Sequence, residues 1–316
     1  MAAPVSYQNE VMAVLAKAGC NMGACHGNAN GKGGFKISLR GESPAGDWKV
    51  IARNELGRRL NLIEPDESLL LKKATAQIPH EGRRRFEVDS WEYRILRQWI
   101  AEGAKNDTGQ APKLTALEVA PTHRTLYAPD NQIQITAKAR FADGSERDVK
   151  SQAVYEPSNN LLEVTPLGKV TFNKPGETTV LVRFLNRQEP VRLAYVPERV
   201  GFAWNPPTTQ GMIDTMIFGK LKKLRINPSP IADDTVFMRR AYLDLIGLLP
   251  TENDAREFVT DTDPAKRKKL VNRLMEREEF AEFWALKWAD LLNVEVRTLD
   301  PKGVQLFHGW IRDRIA

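Results

Sequence analysis

The stretch Gly19-Cys20-Asn21-Met22-Gly23-Ala24-Cys25-His26-Gly27 holds both cysteines of the chain. Two thiols, the second followed directly by histidine, are the grammar of covalent haem attachment. Each thiol adds to one vinyl group and forms a thioether, and the adjacent histidine lies under the iron as its proximal ligand. The usual motif places two residues between the cysteines, and here there are four. Three other readings stand beside haem at this point. A disulfide would close only a small ring and cross-link nothing distant. A zinc site needs a fourth ligand that two cysteines and one histidine do not supply. Free thiols need no partner at all.

The residues downstream bear on the choice. Between Gly27 and Asp107 there is no methionine and one histidine, His80, which follows His26 by 54 residues. It sits in Ile78-Pro79-His80-Glu81-Gly82, a loop between two predicted helices. His80 is therefore the expected distal ligand, with Met12 and Met22 as fallbacks. Ligation by two histidines gives a lower reduction potential than histidine with methionine, and it leaves no open iron position. That favours electron transfer over oxygen binding or peroxidase chemistry. Arg58 and Arg59, and Arg83 in the run Arg83 to Arg85, are candidates to pair with haem propionates through bidentate guanidinium contacts. Phe35, Leu39, Leu60, Leu62, Leu69, Leu70, Phe86 and Trp99 are candidate pocket walls.

Three segments follow from periodicity. Val11, Val14, Leu15 and Ala18 predict a helix just before Cys20. Another is predicted from Ser90, its N-cap, to Glu102, with Ile95, Leu96, Trp99 and Ile100 as the apolar stripe and Gly103 as the stop. Helix, attachment motif, Gly-rich loop (Gly27 to Gly34) and closing helix are the layout of a small all-α c-type cytochrome over residues 1–107. Residues 108–112 read as a linker. The period then changes to two: Ile133, Ile135, Ala137 and Ala139 alternate with polar residues, and Val170 with Phe172 and Thr178 to Phe184 read as further strands. Turn signals at Pro129-Asp130-Asn131, Asp143-Gly144, Pro157 to Asn160 and Pro175-Gly176 separate them. Residues 113–198 are thus predicted to form an all-β antiparallel sandwich of immunoglobulin type, without an inter-sheet disulfide. After a Pro-rich linker, residues 205–316 read as all-α. Met212, Ile213, Met216, Ile217 and Leu221 make one face; Phe237, Ala241, Leu245 and Ile246 make another. Phe258, Leu270, Leu274, Phe280, Trp284, Trp288 and Leu291 continue the pattern, Asp263-Pro264 marks a helix start, and the chain stops inside a predicted helix, so this domain is expected to be truncated.

Composition sets the outer bounds. The chain has 316 residues, 42% of them hydrophobic and 27% charged, with a formal net charge of +6. These are the proportions of a globular protein of two or three domains. No apolar run reaches the roughly 18–20 residues that span a bilayer, so no transmembrane segment is predicted. The basic residues are interleaved with acids and no nucleic-acid-binding motif occurs, so nucleic acid is not an expected partner. Asp244 and Asp290 sit among apolar residues without a histidine or second carboxylate at helical spacing and are read as caps or paired core acids; His123 and His308 are read as structural.

The segment Gly19 to Gly27, followed by Gly33-Gly34-Phe35-Lys36-Ile37-Ser38-Leu39-Arg40-Gly41, resembles the planctomycete cytochrome C domain. So do Gly57-Arg58-Arg59, Pro65 to Leu71, Pro79-His80-Glu81-Gly82 and Trp99-Ile100-Ala101-Glu102-Gly103-Ala104. Related members carry a two-residue cysteine spacing, and a methionine-proline pair where this chain has Pro79-His80. Phe141-Ala142-Asp143-Gly144-Ser145-Glu146-Arg147-Asp148-Val149 is similar to a bacterial Ig-like domain. Phe237 to Leu245, Gly247 to Thr251 and Trp284 to Leu292 are similar to the planctomycete domain of unknown function found downstream of such cytochromes. The resemblance implies a single covalently attached haem c held by Cys20, Cys25 and His26. It also implies a periplasmic or cell-surface location after removal of a secretion signal. The leading functional expectation is electron transfer with an unidentified redox partner protein. Two alternatives stay open: an envelope binding or adhesion protein with a structural haem and glycan or protein contact through the sandwich, and the redox module of an enzyme whose catalytic part lies in or beyond the helical domain.

Overall fold

The computed structural model of the protein describes residues 4–208 and 211–316. They divide into two compact units, Met1–Asn227 and Pro228–Ala316.

The first unit begins with helices. Ser6 caps a π-helical turn over Tyr7–Val11, its side chain accepting the Asn9 amide, and the turn runs directly into α1 (Met12–Lys17). Gly19, at φ +73°, turns the chain out of this helix as glycine does best. The helices α2 (Pro44–Ala52), α3 (Leu69–Ala74) and α4 (Trp91–Ala101) follow. Ser90 caps α4 as expected, its Oγ accepting the Tyr93 amide at 3.3 Å. The fully buried Tyr7, Leu15, Ile37, Ile51, Leu71, Leu96, Trp99 and Ile100 share one core. The Trp99 indole N–H donates to the Lys105 carbonyl at 2.9 Å, so this largest core side chain buries no unpaired donor.

The stretch read as a linker is bonded to the first turn. Asp107 accepts from the Ser6 hydroxyl and the Gln8 amide, Gln8 Oε1 accepts from the Gly109 amide, and Asn9 Nδ2 donates to the Pro112 carbonyl. These bonds fix where the β-region starts.

That region comprises β1 (Leu114–Ala120), β2 (His123–Tyr127), β3 (Gln132–Gln134), β4 (Thr136–Phe141), β5 (Glu146–Asp148), β6 (Val154–Pro157), β7 (Leu162–Val164), β8 (Lys169–Phe172), β9 (Gly176–Phe184) and β10 (Arg187–Val196). They form three sheets, ordered β1-β4-β5, β2-β10-β9-β6 and β3-β8-β7. Two features differ from the sequence reading. The β2–β10 pair is parallel, with His123 opposite Arg192 and Tyr127 opposite Val196, so the pairing is not wholly antiparallel. The alternating run Ile133 to Ala139 is also two strands in two sheets. The break falls at Ile135, whose amide donates to the Gly168 carbonyl, while the Gln134 side chain binds the carbonyls of Ile135 and Leu167. Ile135, Ala137 and Ala139 all stay buried through the switch, and inward alternation alone cannot reveal a change of sheet.

Helix α1 is wedged against this β-region. Ala13 belongs to the core formed by the strands. The Lys17 ammonium donates to the carbonyls of Ala153 and Pro166, each at 2.6 Å, and lies 5.2 Å from the centre of the Tyr155 ring. Burial pulls the Lys17 pKa down to about 8. The last helix of the unit, α5 (Met212–Lys223), forms where predicted. Its expected apolar face is uncovered: Met212, Ile213, Met216 and Ile217 are all exposed.

The second unit is helical: α6 (Asp234–Ile246), α7 (Glu252–Thr260), α8 (Lys266–Met275), α9 (Glu278–Leu291) and α10 (Pro301–Ile315). Asp233 caps α6, Thr251 and Asp254 form a capping box on α7, and Asp300 caps α10. Gly247 ends α6 at φ +72°, with the Phe283 ring where a Cβ would project. Helix α8 begins at Lys266, not at Pro264, because Asp263 first closes a turn on the Ala265 amide at 2.7 Å. The buried core is Met238, Ala241, Tyr242, Ile246, Phe258, Leu270 and Leu274, with Phe237, Leu245 and Phe280 packed against it. On α9 the buried stripe is Ala281, Ala285 and Ala289, while Trp288 and Leu291 are exposed. Small residues at i, i+4 and i+8 let a neighbouring backbone approach closely, which large aromatics on the same stripe would prevent. Asp244 and Asp290 are exposed, not core acids. Among the described residues no helix is long and apolar enough to cross a membrane.

Candidate haem-ligand site

The cysteine loop is tightly wound. The Cys20 carbonyl accepts the His26 amide at 3.0 Å, and the Met22 carbonyl accepts both the Cys25 amide (2.9 Å) and the Gly27 amide (3.0 Å). The four residues between the cysteines are thereby folded into a turn, with Met22, Gly23 and Ala24 exposed and Asn21 buried. The overlong spacing is absorbed locally, and Cys20 and His26 are joined by a backbone bond. Gly27 is obligatory here, because any Cβ would overlap the Asn21 carbonyl. The loop is anchored from outside as well: the Arg40 amide donates to the Asn21 carbonyl (2.9 Å) and the Ile37 amide to the His26 carbonyl (3.0 Å). Both cysteines are free thiols, partly buried. Burial pushes the Cys20 thiol up to about 11, with Arg85 partly opposing the rise.

His80 comes to His26. The two imidazole centres are 6.3 Å apart and the ring planes differ by 14°. Each ring is held through Nδ1, His26 by the Phe35 carbonyl at 2.9 Å and His80 by the Arg83 carbonyl at 2.8 Å. A carbonyl only accepts, so Nδ1 carries a proton in both rings, and a neutral ring in this tautomer keeps its lone pair on Nε2. Burial, ahead of the other influences, keeps the His26 pKa below its ordinary value, which favours this neutral form. The spacing also suits a plain aromatic pair; the two Nδ1 bonds set this pair apart, as an orienting hydrogen bond is the usual companion of a metal-bound histidine. Two imidazoles bound through Nε2 to opposite sides of one metal ion, with bonds of about 2 Å, hold their ring centres roughly 6 Å apart.

The surroundings hold the pair in place. The Arg83 amide donates to the His80 carbonyl at 2.9 Å, closing a turn in which Arg83 sits at φ +57°. Lys73 donates to the Pro79 carbonyl. An ion pair between Lys32 and Glu81 (2.6 Å) clips the loop after His26 to the loop of His80. The Phe35 ring lies 4.6 Å from His26, and the Arg59 guanidinium lies 4.7 Å from the Phe35 ring centre. Arg59 Nη1 is spent on the Val50 and Asn54 carbonyls. Arg58 and the Arg83 side chain are exposed, and Arg83 acts at the site through its backbone. The neighbouring Arg85 points inward instead, its Nε donating to the Ala18 carbonyl at 2.6 Å, where α1 ends. Neither carbonyl that orients the histidines has a side-chain signature, so the sequence could not single them out.

Of the expected walls, Phe86 and Trp99 are buried in the core, Phe35, Leu60, Leu69 and Leu70 are half-buried, and Leu39 and Leu62 are exposed. Met22, Leu56, Ile63 and Val88 are exposed too. Among the described residues no group of three or more histidine, cysteine or acidic side chains could hold a metal ion. This donor set does not complete a zinc tetrahedron. Cys20, Cys25, His26 and His80 are the residues here that could hold a haem.

Residues 212–316 match the family described as PSCyt2, a protein of unknown function (DUF1549). The match begins with α5 and includes every helix of the second unit, and it supports the planctomycete assignment of the C-terminal segment. No curated protein matches the chain.

Proposed function

We propose that the N-terminal segment is a c-type cytochrome domain that carries one haem c and passes electrons to a redox partner protein. The observation that carries this reading is the pair His26 and His80, 6.3 Å apart with both Nδ1 atoms bonded to carbonyls. When bound, the haem supplies a one-electron carrier whose potential depends on its axial ligands. The chain's own contributions are specific. Cys20 and Cys25 would hold the group as thioethers, each S–H adding across one vinyl group, the sulfur to one carbon and the proton to the other, with no change of oxidation state. His26 and His80 would hold the iron through their imidazoles. Arg59, beside the Phe35 ring, is the best placed of the three named arginines to meet a propionate, ahead of Arg58 and Arg83. The wall residues exclude water once covered.

We read the β-region, residues 113–198, as an Ig-like sandwich and the last segment, residues 205–316, as the helical planctomycete domain. The location consistent with thioether formation is the periplasm or cell surface. The test is the absorbance spectrum of protein made in cells with haem-attachment machinery. A low-spin six-coordinate spectrum that changes on reduction, with the haem retained after denaturation, supports the proposal. A colourless product overturns it.

A further inference from the structure

We propose that Asp47 is a positioning residue of the candidate haem site, acting through Ser38 on the chain segment that holds the His26 ring. Three bonds tie that segment to the attachment loop. The Phe35 carbonyl accepts from His26 Nδ1 at 2.9 Å, the Ile37 amide donates to the His26 carbonyl at 3.0 Å, and the Arg40 amide donates to the Asn21 carbonyl at 2.9 Å. Ser38 stands among these three and is bonded twice to Asp47: Oδ1 accepts the Ser38 amide and Oδ2 the Ser38 hydroxyl, each at 2.6 Å. Ser38 Oγ accepts the Ser43 amide at 2.9 Å in turn, and the Asp47 amide donates to the Ser43 carbonyl at 2.9 Å. The segment is thereby fastened to the start of α2. Only Lys36 and Ile37 separate Ser38 from Phe35, and Ile37 is itself buried, so a shift of Ser38 is carried to the carbonyl that orients His26.

Asp47 does more than cap or charge a helix. It lies in the first turn of α2, where any carboxylate is favoured by the helix dipole, yet that role needs no burial. Asp47 is 2% exposed. Burial raises its pKa, and the two Ser38 bonds oppose the rise. A carboxylate taken out of water is costly unless hydrogen bonds replace its hydration, and here both of its oxygens are directed at one serine. Bonds to a charged acceptor are short and strong, which makes the fastening stiff. The inference rests on the haem reading for what the oriented ring is used for; the orientation itself belongs to the haem-free chain.

The test is nitrogen-15 NMR of the histidine rings in the full haem-free chain at about pH 8, above the ordinary histidine range. His26 should be mainly the Nδ1–H tautomer, whereas a solvated neutral ring favours Nε2–H. Asp47→Asn puts an NH2 where one of the two acceptors stood, and Ser38→Ala removes the hydroxyl. Each should cut the Nδ1–H to Nε2–H ratio of His26 by up to about fivefold, the factor that one ordinary hydrogen bond is worth, and leave the ratio of His80 unchanged. Ile51→Val, at a fully buried position of the same helix, weakens the core without touching Ser38 and should leave both ratios alone. In the haem-loaded chain, Ser38→Ala changes no charge yet should raise the reduction potential, because a looser Nδ1–H bond makes the axial imidazole less basic. An unchanged His26 ratio in both folded variants overturns the proposal, as does an equal change in Ile51→Val or an unmoved potential in Ser38→Ala. A colourless chain overturns the haem reading instead, and the His26 ratio then decides the role of Asp47.

Discussion

Replacing His80 with alanine is the sharpest perturbation of the proposed haem site. It removes an imidazole whose centre lies 6.3 Å from that of His26, and a methyl group cannot bridge that gap. The alternatives are poorly placed. Met12 is 4% exposed in the core, and pulling it out would cost about 2–5 kcal/mol. Met22 belongs to the turn that joins Cys20 to Cys25, on the attachment side of the site. The cost to folding is small, because half-buried His80 gives up one side-chain hydrogen bond, to the Arg83 carbonyl, worth about 1 kcal/mol. The Lys73 bond to the Pro79 carbonyl and the Lys32–Glu81 pair still hold the loop. The variant should therefore fold, keep its thioethers and lose only the sixth ligand. Its absorbance spectrum should pass from low-spin to high-spin, the ferrous form should gain carbon monoxide binding, and added imidazole should restore the low-spin bands. A variant that stays low-spin without added imidazole refutes the assignment of His80. His80→Met, if it ligates, should raise the reduction potential.

Gly27→Ala should abolish stable haem attachment, since the new Cβ overlaps the Asn21 carbonyl, whereas Gly33→Ala, which has open space and only a positive φ, should cost about 1 kcal/mol and keep the haem; covalent haem per chain distinguishes the two. Lys17 titrates near 8 in the fold against 10.5 in the unfolded chain. Between those values the unfolded chain binds more protons, so stability should rise with pH across that window and be flat in this term below it. After discounting for partial exposure the gain is about 1–2 kcal/mol, and it should vanish from denaturation curves of Lys17→Met. On α9, Ala285→Leu overfills a fully buried position and should cost about 1–3 kcal/mol, while Trp288→Ala, at a position 48% exposed, should stay within about 0.5 kcal/mol; urea melts of the two variants decide this.

Much of the architecture is written in local pattern. The α4 boundaries followed from Ser90, the apolar stripe and Gly103, because caps and stops act through neighbouring backbone groups. The change of period near residue 113 marked the passage from helices to strands. Three features escaped for one reason: they depend on partners distant in the chain. The sheet switch at Ile135 rests on the Gly168 carbonyl, and the parallel β2–β10 pair joins strands some seventy residues apart. The α9 seam is alanine because of what packs on it, whereas hydrophobicity alone points to Trp288 and Leu291.

The candidate site divides the same way. The sequence by itself determined the candidate residues: two thiols, an adjacent histidine and, between Gly27 and Asp107, one further histidine with no methionine beside it. Composition and order need no coordinates. Only the tertiary structure decided that the four-residue spacer folds into a turn, that His80 stands 6.3 Å from His26, and that the Phe35 and Arg83 carbonyls hold both rings through Nδ1. Every backbone carbonyl is alike in sequence, and which one meets an imidazole is set by how the loops pack in three dimensions.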